Sequence, residues 1–248
     1  MNNALDQKSS ITISLIIPAY NEEKYIGECL THALENADGK FLEIIVIDNA
    51  SNDNTNVVAS GFPGVRVVRE EKKGVTRARQ RGFLEAKGEV LAFVDADTRM
   101  PEGWARTVAE EFGKNMSLAC LSGPYIYHDT PQHKQFLAKW FYWRLLAMPS
   151  YLVIGYMAVG GNFAIRRDVV EKMGGFDTRI EFYGEDTNTA RRAREFGKVK
   201  FMLSLAMPTS GRRLESEGFF KVAIIYMLNF LSEAFLKRPY SHSYKDIR

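Results

Sequence analysis

With 248 residues, 46% of them hydrophobic and 25% charged, the chain has an ordinary globular composition and the length of one large α/β domain with at most a small appendage. A formal charge of +3 is too small for a nucleic-acid binder, although Arg77/Arg79/Arg81, Arg191/Arg192/Arg194 and Arg212/Arg213 form local basic clusters. Two cysteines in apolar segments argue against a disulfide framework, and the polar stretch Met1 to Ser10 has no signal-peptide core, so a reducing, cytoplasmic location is expected.

The Ile-rich run Ile13 to Ile17 reads as a strand ending at Pro18-Ala19-Tyr20, with a helix after it from Tyr25 to Glu35. Phe41 to Ile47 reads as a second strand closed by Asp48-Asn49, and Asn52-Asp53-Asn54 as the cap of a helix starting near Thr55. Val65 to Val68, a helix near Thr76 to Ala86, and Val90 to Val94 continue the series. These strands are continuously apolar, the mark of coverage on both faces, and the alternation implies an α/β fold with a mostly parallel central sheet flanked by helices. Beyond Asp97, Pro101 is expected to open a helix, Leu118 to Leu121 to form a short strand, and Pro149 to stop the aromatic segment Phe136 to Met148. Gly160-Gly161 leads into a strand through Ile165, Gly174-Gly175 ends a short helix, and Gly184-Glu185-Asp186 opens a long one with its acids at the positive end. The division is a flexible N-terminus over 1–12, one domain over 13–213 and a C-terminal helix over 214–248.

In such sheets ligands lie at the carboxyl ends of strands, which here carry Pro18 to Glu22, Asp48-Asn49 and Asp95-Ala96-Asp97. Alternate residues on an extended chain point the same way, so Asp95 and Asp97 face one cleft, where like charges need a cation or a proton. Their hard oxygens suit a divalent ion that also holds a phosphate. No Gly-x-Gly-x-x-Gly follows the first strand and no P-loop occurs, which argues against both phosphate-binding classes. Four His, two Cys and no His-Glu-x-x-His leave little material for zinc.

The segments Ser14 to Glu22, Val46 to Asp53, Asp95-Ala96-Asp97, Gly161-Asn162 and Gly184-Glu185-Asp186, in this order, resemble family 2 glycosyltransferases over about Ser14 to Lys200. The resemblance implies the GT-A (nucleotide-diphospho-sugar transferase) fold. It also implies inverting transfer of a sugar from a nucleotide-diphosphate donor, UDP-hexose first, to the hydroxyl of a saccharide or lipid-linked acceptor in cell-surface polysaccharide or glycolipid synthesis. It places Pro18, Ala19, Tyr20 and Glu22 in the nucleotide pocket and Asp48 on the nucleobase. Asn49 stands where many relatives carry a second Asp, and by turn chemistry Asp48 reads equally as a turn acid. Gly74 to Gly82 resembles the family's Ala-Arg-Asn-x-Gly helix with Gln80 in place of Asn, which directs Arg79 either to the nucleotide end of the donor or to a pair with the acidic cleft, while Arg77 and Arg81 read as a solvated face beside Glu85. Mg²⁺ or Mn²⁺ is expected on Asp97, with Asp95 as second ligand or as a contact to ribose or sugar. Asp186 is the expected base, and Glu185 would position acceptor or donor. Arg212 or Arg213 would clamp the diphosphate, or simply form a basic turn before a helix.

Two stretches, Phe136 to Met148 and Phe219 to Leu236, combine apolar and aromatic residues with Lys or Arg. They read either as a membrane-surface contact, on the inner face of the plasma membrane, or as helices packed on the sheet or in a homodimer. No apolar run reaches the ~20 residues of a spanning helix, the longest being Val222 to Leu231. Two other classes compete with glycosyl transfer. A nucleotidyltransferase would carry a Gly-rich basic loop after the first strand, and a non-catalytic sugar-nucleotide-binding module would lack the base at Asp186.

Overall fold

Strands of Ile and Val covered on both faces, joined by helices with one apolar side each, account for most of the buried volume. The computed structural model describes residues 11–241. Of the expected flexible N-terminus over 1–12, only Ile11 and Thr12 fall within it, and residues 242–248 also lie outside. The chain runs β1 (Ile13–Ala19), α1 (Ile26–Glu35), β2 (Phe41–Asn49), α2 (Thr55–Ser60), β3 (Val65–Glu70), α3 (Val75–Glu85), β4 (Val90–Val94) and α4 (Trp104–Lys114). It continues through β5 (Leu118–Ser122), β6 (Tyr125–Tyr127), α5 (Gln132–Phe136), a π-helical stretch (Leu137–Ala147), α6 (Met148–Ile154), β7 (Asn162–Arg166) and α7 (Arg167–Lys172). The last elements are α8 (Glu185–Ala193), β8 (Lys198–Phe201), β9 (Met207–Thr209), α9 (Arg212–Glu217) and α10 (Phe219–Leu236).

Seven strands form one sheet in the order β3-β2-β1-β4-β7-β5-β8, and β6 pairs with β9 beside it. Only β7 runs antiparallel to its sheet neighbours. Successive residues of β1 serve opposite layers: Leu15 and Ile17 pack with Ile26, Leu30 and Trp104, while Ile16 packs with Ala78, Phe83 and Ala190. The layer carrying α3 approaches so closely that a Cβ on Gly82 would lie 2.4 Å from Ile16 Cγ2. The order reverses between β1 and β4, and a cleft at the carboxyl ends of these strands follows.

The structure differs from the sequence expectation at four places. Asp48 and Asn49 belong to β2 rather than to the turn after it. The helix expected to open at Pro101 opens at Trp104, where Gly103 supplies a left-handed φ of 75° before the first turn. Pro149 does not stop the aromatic helix, which continues to Ile154. Pro149 sits in the first turn of α6, where its missing N–H matters least, after the wider π-helical turns. The boundary expected after Arg213 falls inside α9. Asp53 does cap α2, its Oδ1 accepting from the Thr55 N–H at 3.0 Å.

Helix α10 extends the apolar run in both directions, and its 18 residues are long and apolar enough to cross a membrane by length and composition alone. It is joined to α8 by a buried polar cluster. Glu233, wholly buried, accepts from Asn188 Nδ2 at 2.9 Å and from Arg191 Nη2 at 3.1 Å. Glu233→Ala strands both donors, so it is expected to lower unfolding free energy by about 3–5 kcal/mol in urea titration. Glu233→Gln keeps an acceptor there and should recover part of the loss.

Candidate active site

The end of β4 is where the acids gather. Asp95 Oδ2 accepts the Tyr125 hydroxyl at 2.7 Å. Burial, reinforced by Asp95, keeps that phenol protonated and so a donor. Gly161 stands against the same pair: a Cβ there would lie 2.3 Å from Asp95 Oδ2 and 2.0 Å from the Tyr125 oxygen, so no side chain is admissible. Asp97 accepts from Thr209 Oγ1 at 3.2 Å and faces Arg212 Nη2 at 3.0 Å. Arg212 also pairs with Glu22 and lies over the Tyr25 ring at 4.7 Å. Burial opposes the charge of Arg212, but Glu22 and Asp97 outweigh it and hold the guanidinium above its ordinary value. Arg212 is therefore at the site, as expected for a clamp, and its partners here are acids.

Among the described residues no group of three or more His, Cys, Asp or Glu could hold a metal by itself. A divalent ion at Asp97 and Asp95 would take its remaining ligands from donor oxygens and water. One or two hard carboxylates opening on a cleft suit Mg²⁺ or Mn²⁺ used in that way.

On the far side of Asp95, a small recess is lined by Pro18, Ala19, Tyr20, Asn49, Lys73 and Gly74. Lys73 Nζ sits 3.9 Å above the Tyr20 ring. Asn49 shapes this recess from within, its amide donating to the Lys72 carbonyl at 2.8 Å and accepting from the Gly74 N–H at 2.8 Å. Two expected nucleotide contacts lie elsewhere. Asp48, at the end of β2, is wholly buried, its Oδ2 2.6 Å from Arg69 Nη1 and its Oδ1 accepting from the Ser51 N–H, and it does not line the recess. Glu22 is 2% exposed and turned to Arg212.

Across the cleft, the left-handed Gly184 (φ 80°) opens α8 and presents Glu185 and Asp186 in its first turn. Glu185 pairs with Arg79 of α3, and Arg79 Nη2 donates to the Gly160 carbonyl at 2.8 Å. Arg79 is 2% exposed and lines the cavity with its guanidinium held by Glu185 and the Gly160 carbonyl, which is the pairing with the acidic cleft, the alternative to a donor contact. A Cβ on Gly160 would lie 2.5 Å from Glu185 Oε1. Burial pushes Glu185 up to about 8, with Arg79 pulling the other way. Burial also raises Asp186 above its ordinary value, moderated by the Thr187 N–H, which donates to Oδ1 at 2.7 Å.

Asp95, Asp97, Glu185, Asp186 and Arg212 line one cavity of about 200 Å³. Its inner wall is apolar and aromatic, built by Tyr142, Trp143 and Ala147 of the π-helical stretch and by Tyr226, Met227 and Phe230 of α10. Sequence reasoning missed this wall, and also Tyr125 and Lys73, because each reaches the site through tertiary packing with no local motif. Arg213, the alternative clamp, pairs with Glu217 at 2.9 Å and lies over Phe182. Arg81 pairs with Glu85 at 2.8 Å as the solvated-face reading expects.

Removing Arg79 tests the pair. Arg79→Met leaves Glu185 without its partner, an expected loss of about 3–5 kcal/mol in chemical denaturation above about pH 8, where the wild-type carboxyl is ionised. A buried carboxyl whose folded pKa exceeds its unfolded 4.5 binds its proton more tightly in the native state, so stability falls as pH rises through the folded value. The loss should accordingly be larger above than below about pH 8.

Comparison with known proteins follows this geometry. The model of glycosyl transferase family 2 matches residues 14–174, more than half of the chain. Among curated relatives, a dolichol-phosphate mannosyltransferase of Pyrococcus furiosus is 31% identical over 174 residues, covering 64% of this chain and 47% of that protein. Glycosyltransferase AglE of Haloferax volcanii is 28% identical over 192 residues, covering 75% and 62%. The chain thus spans about half the length of such relatives. Among solved structures, the mannosyltransferase PcManGT of Pyrobaculum calidifontis, in complex with GDP-Man and Mn²⁺, superposes with a TM-score of 0.65 at 22% identity, over 91% of this chain and 63% of that one. Glucosyl-3-phosphoglycerate synthase of Mycobacterium tuberculosis, with Mn²⁺, UDP-Glc and phosphoglyceric acid, gives 0.61 at 21% identity over 92% and 81%. The sheet is that of the GT-A fold. The family match over more than half of the chain, with the ordered strand-end acids and Gly161 packed against Asp95, shows that this chain belongs to glycosyl transferase family 2.

Proposed function

We propose that the chain transfers a hexosyl unit from a nucleotide-diphosphate donor to an acceptor hydroxyl with inversion, using Mg²⁺ or Mn²⁺. The observation that carries this reading is the meeting of Asp186, at the start of α8, with Asp95, Asp97 and Arg212 in one cavity. The substrates named with the mannosyl- and glucosyl-transferring neighbours support it. For the base we favour uracil, the base of the UDP-Glc bound by the glucosyl-transferring neighbour, with Tyr20 and Lys73 lining the recess that would receive it. A UDP-hexose is then the donor, and the stacking surface is Tyr20. The product would enter a cell-surface polysaccharide or glycolipid.

The residues divide the work in this reading. Tyr20, Pro18 and Ala19 hold the base. Arg212 meets the diphosphate through charge-assisted hydrogen bonds, from a backbone position already beside Asp97. Tyr125 fixes the rotamer of Asp95 so that its other oxygen addresses the sugar or ribose. A bound Mg²⁺ or Mn²⁺ on Asp97 would supply positive charge to the leaving diphosphate. Asp186 takes the acceptor proton; its Oδ1 accepts from the Thr187 N–H and hydroxyl, and the Gly160 backbone adds a further hydrogen bond that holds the carboxylate in place. Glu185, locked against Arg79, holds the adjacent backbone and shapes the acceptor floor.

Two measurements check the reading. In thermal-shift assays with UDP, GDP, CDP and dTDP sugars, a UDP-hexose with Mn²⁺ is expected to give the largest stabilisation, and absence of a shift with every nucleotide would remove the donor assignment. Asp186→Asn should lower kcat by about 10²- to 10⁴-fold while donor-induced stabilisation persists. Because burial raises Asp186, the acid limb of kcat/KM should lie above its ordinary value of 3.8, with activity gained as pH rises through it. Full turnover by Asp186→Asn would refute its role as base. A protein that binds nucleotide but turns over no acceptor in wild-type form would be a binding module instead.

A further inference from the structure

The helices that wall the cavity from the inside carry an unusual outer surface. On the run from Gln132 to Ile154, Leu145, Leu152 and Val153 are each more than half exposed, and so are Phe220, Ile224 and Phe235 of α10. Trp140 and Phe141 add aromatic area, with the Arg144 guanidinium lying 4.3 Å over the Trp140 ring. The two runs pack on each other through Ala138 with Phe219 and Val222, in one cluster with Leu214 of α9, and through Trp143 and Ala147 with Phe230. Their outer residues therefore belong to one contiguous unit.

The two helical runs themselves carry cations and no exposed acid, while the adjoining α9 supplies Glu215, paired with Lys134, and Glu217, paired with Lys221. From Thr130 to Arg167 the sequence has no acidic residue, while Lys134, Lys139 and Arg144 fall on the first helical run. On α10 the single carboxylate is Glu233, which is wholly buried, and Lys221 is exposed, as are Lys237 and Arg238 just beyond the helix. Exposed aliphatic and aromatic side chains among cations, with no exposed acid on either helix, complement an anionic lipid surface, where rings sit at headgroup depth and ammonium groups meet phosphates.

We infer that this face docks on an anionic bilayer, with α10 lying on the membrane rather than crossing it. The length of α10 would permit crossing, but its Glu233 is tied to Arg191 and Asn188, and its Asn229 accepts from the Tyr240 and Ser241 N–H groups at 3.0 Å. Crossing would break these bonds and carry an unpaired carboxylate into hydrocarbon. Lying flat keeps them, and leaves the apolar wall of the cavity backed by the same helices that touch lipid. An amphiphilic acceptor would then reach Asp186 without leaving the surface, a consequence that rests on the transferase reading while the docking does not.

The test is flotation of the full chain with vesicles of phosphatidylglycerol and phosphatidylcholine against phosphatidylcholine alone, followed by alkaline carbonate extraction. The protein is expected to float with the anionic vesicles only and to be released by carbonate. The triple variant Lys139→Glu/Arg144→Glu/Lys221→Glu, checked for an unchanged melting temperature, should partition about tenfold or more weakly. Failure of the intact protein to float, or equal flotation of the triple variant, overturns docking. Retention after carbonate overturns the flat geometry. A dimer in light scattering that Leu145→Ser/Ile224→Ser dissolves, without vesicle binding, would make the face a protein interface instead. The nucleotide panel reports separately, so docking and donor chemistry fail independently.

Discussion

The pair between Arg79 and Glu185 is the contact on which the site depends. Both groups are almost removed from water, and an unpaired charge at either place would be strongly destabilising, so α3 and α8 are obliged to keep one relative position. Arg79 also holds the Gly160 carbonyl, which ties the approach to β7 into the same contact. Asp186, one residue along from Glu185, inherits a fixed place without needing rigid partners of its own. The two glycines are the steric counterpart of this arrangement: Glu185 and Arg79 occupy the space of a Cβ at Gly160, and Asp95 with Tyr125 occupies it at Gly161. Base side and donor side are thus separated by backbone alone.

How much of this was legible in the sequence depends on whether a residue's role is set locally. The continuous apolar runs gave β1, β2 and β4 nearly to the residue, since strands buried on both faces leave no other pattern. The acids at Asp95, Asp97, Glu185 and Asp186 could be placed because strand ends and helix starts are themselves local. Arg79 could be placed near the site but not given its role, because whether a guanidinium faces donor or carboxylate is decided by α8, over a hundred residues away. Asp48 fails for the same reason: Arg69 on the neighbouring strand claims it. Pro149 misled because the rule that proline stops a helix assumes regular α-turns before it.

The cleft acids are also held from the opposite side. Ser210 donates from its backbone N–H to the Asp97 carbonyl at 3.2 Å, Arg99 does the same to Pro208 at 2.9 Å, and β9 pairs with β6 in between. The strip carrying Arg212 is therefore stitched to the loop carrying Asp97 before any ligand arrives. A further anchor comes from Asp129, which accepts from the Ser210 hydroxyl and the Gly211 N–H, both at 2.6 Å.

That stitching bears on how a diphosphate is received. Arg212 pairs with both Glu22 and Asp97, which lowers the repulsion between the two carboxylates. With its backbone fixed by β9 and Asp129, Arg212 can change partners only by side-chain rotation. In the proposed reading, a divalent ion held at Asp97 would supply the positive charge that Arg212 gives the acids here, and would leave the guanidinium to meet the diphosphate. The charge balance of the cleft would then be kept by exchange of one cation for another.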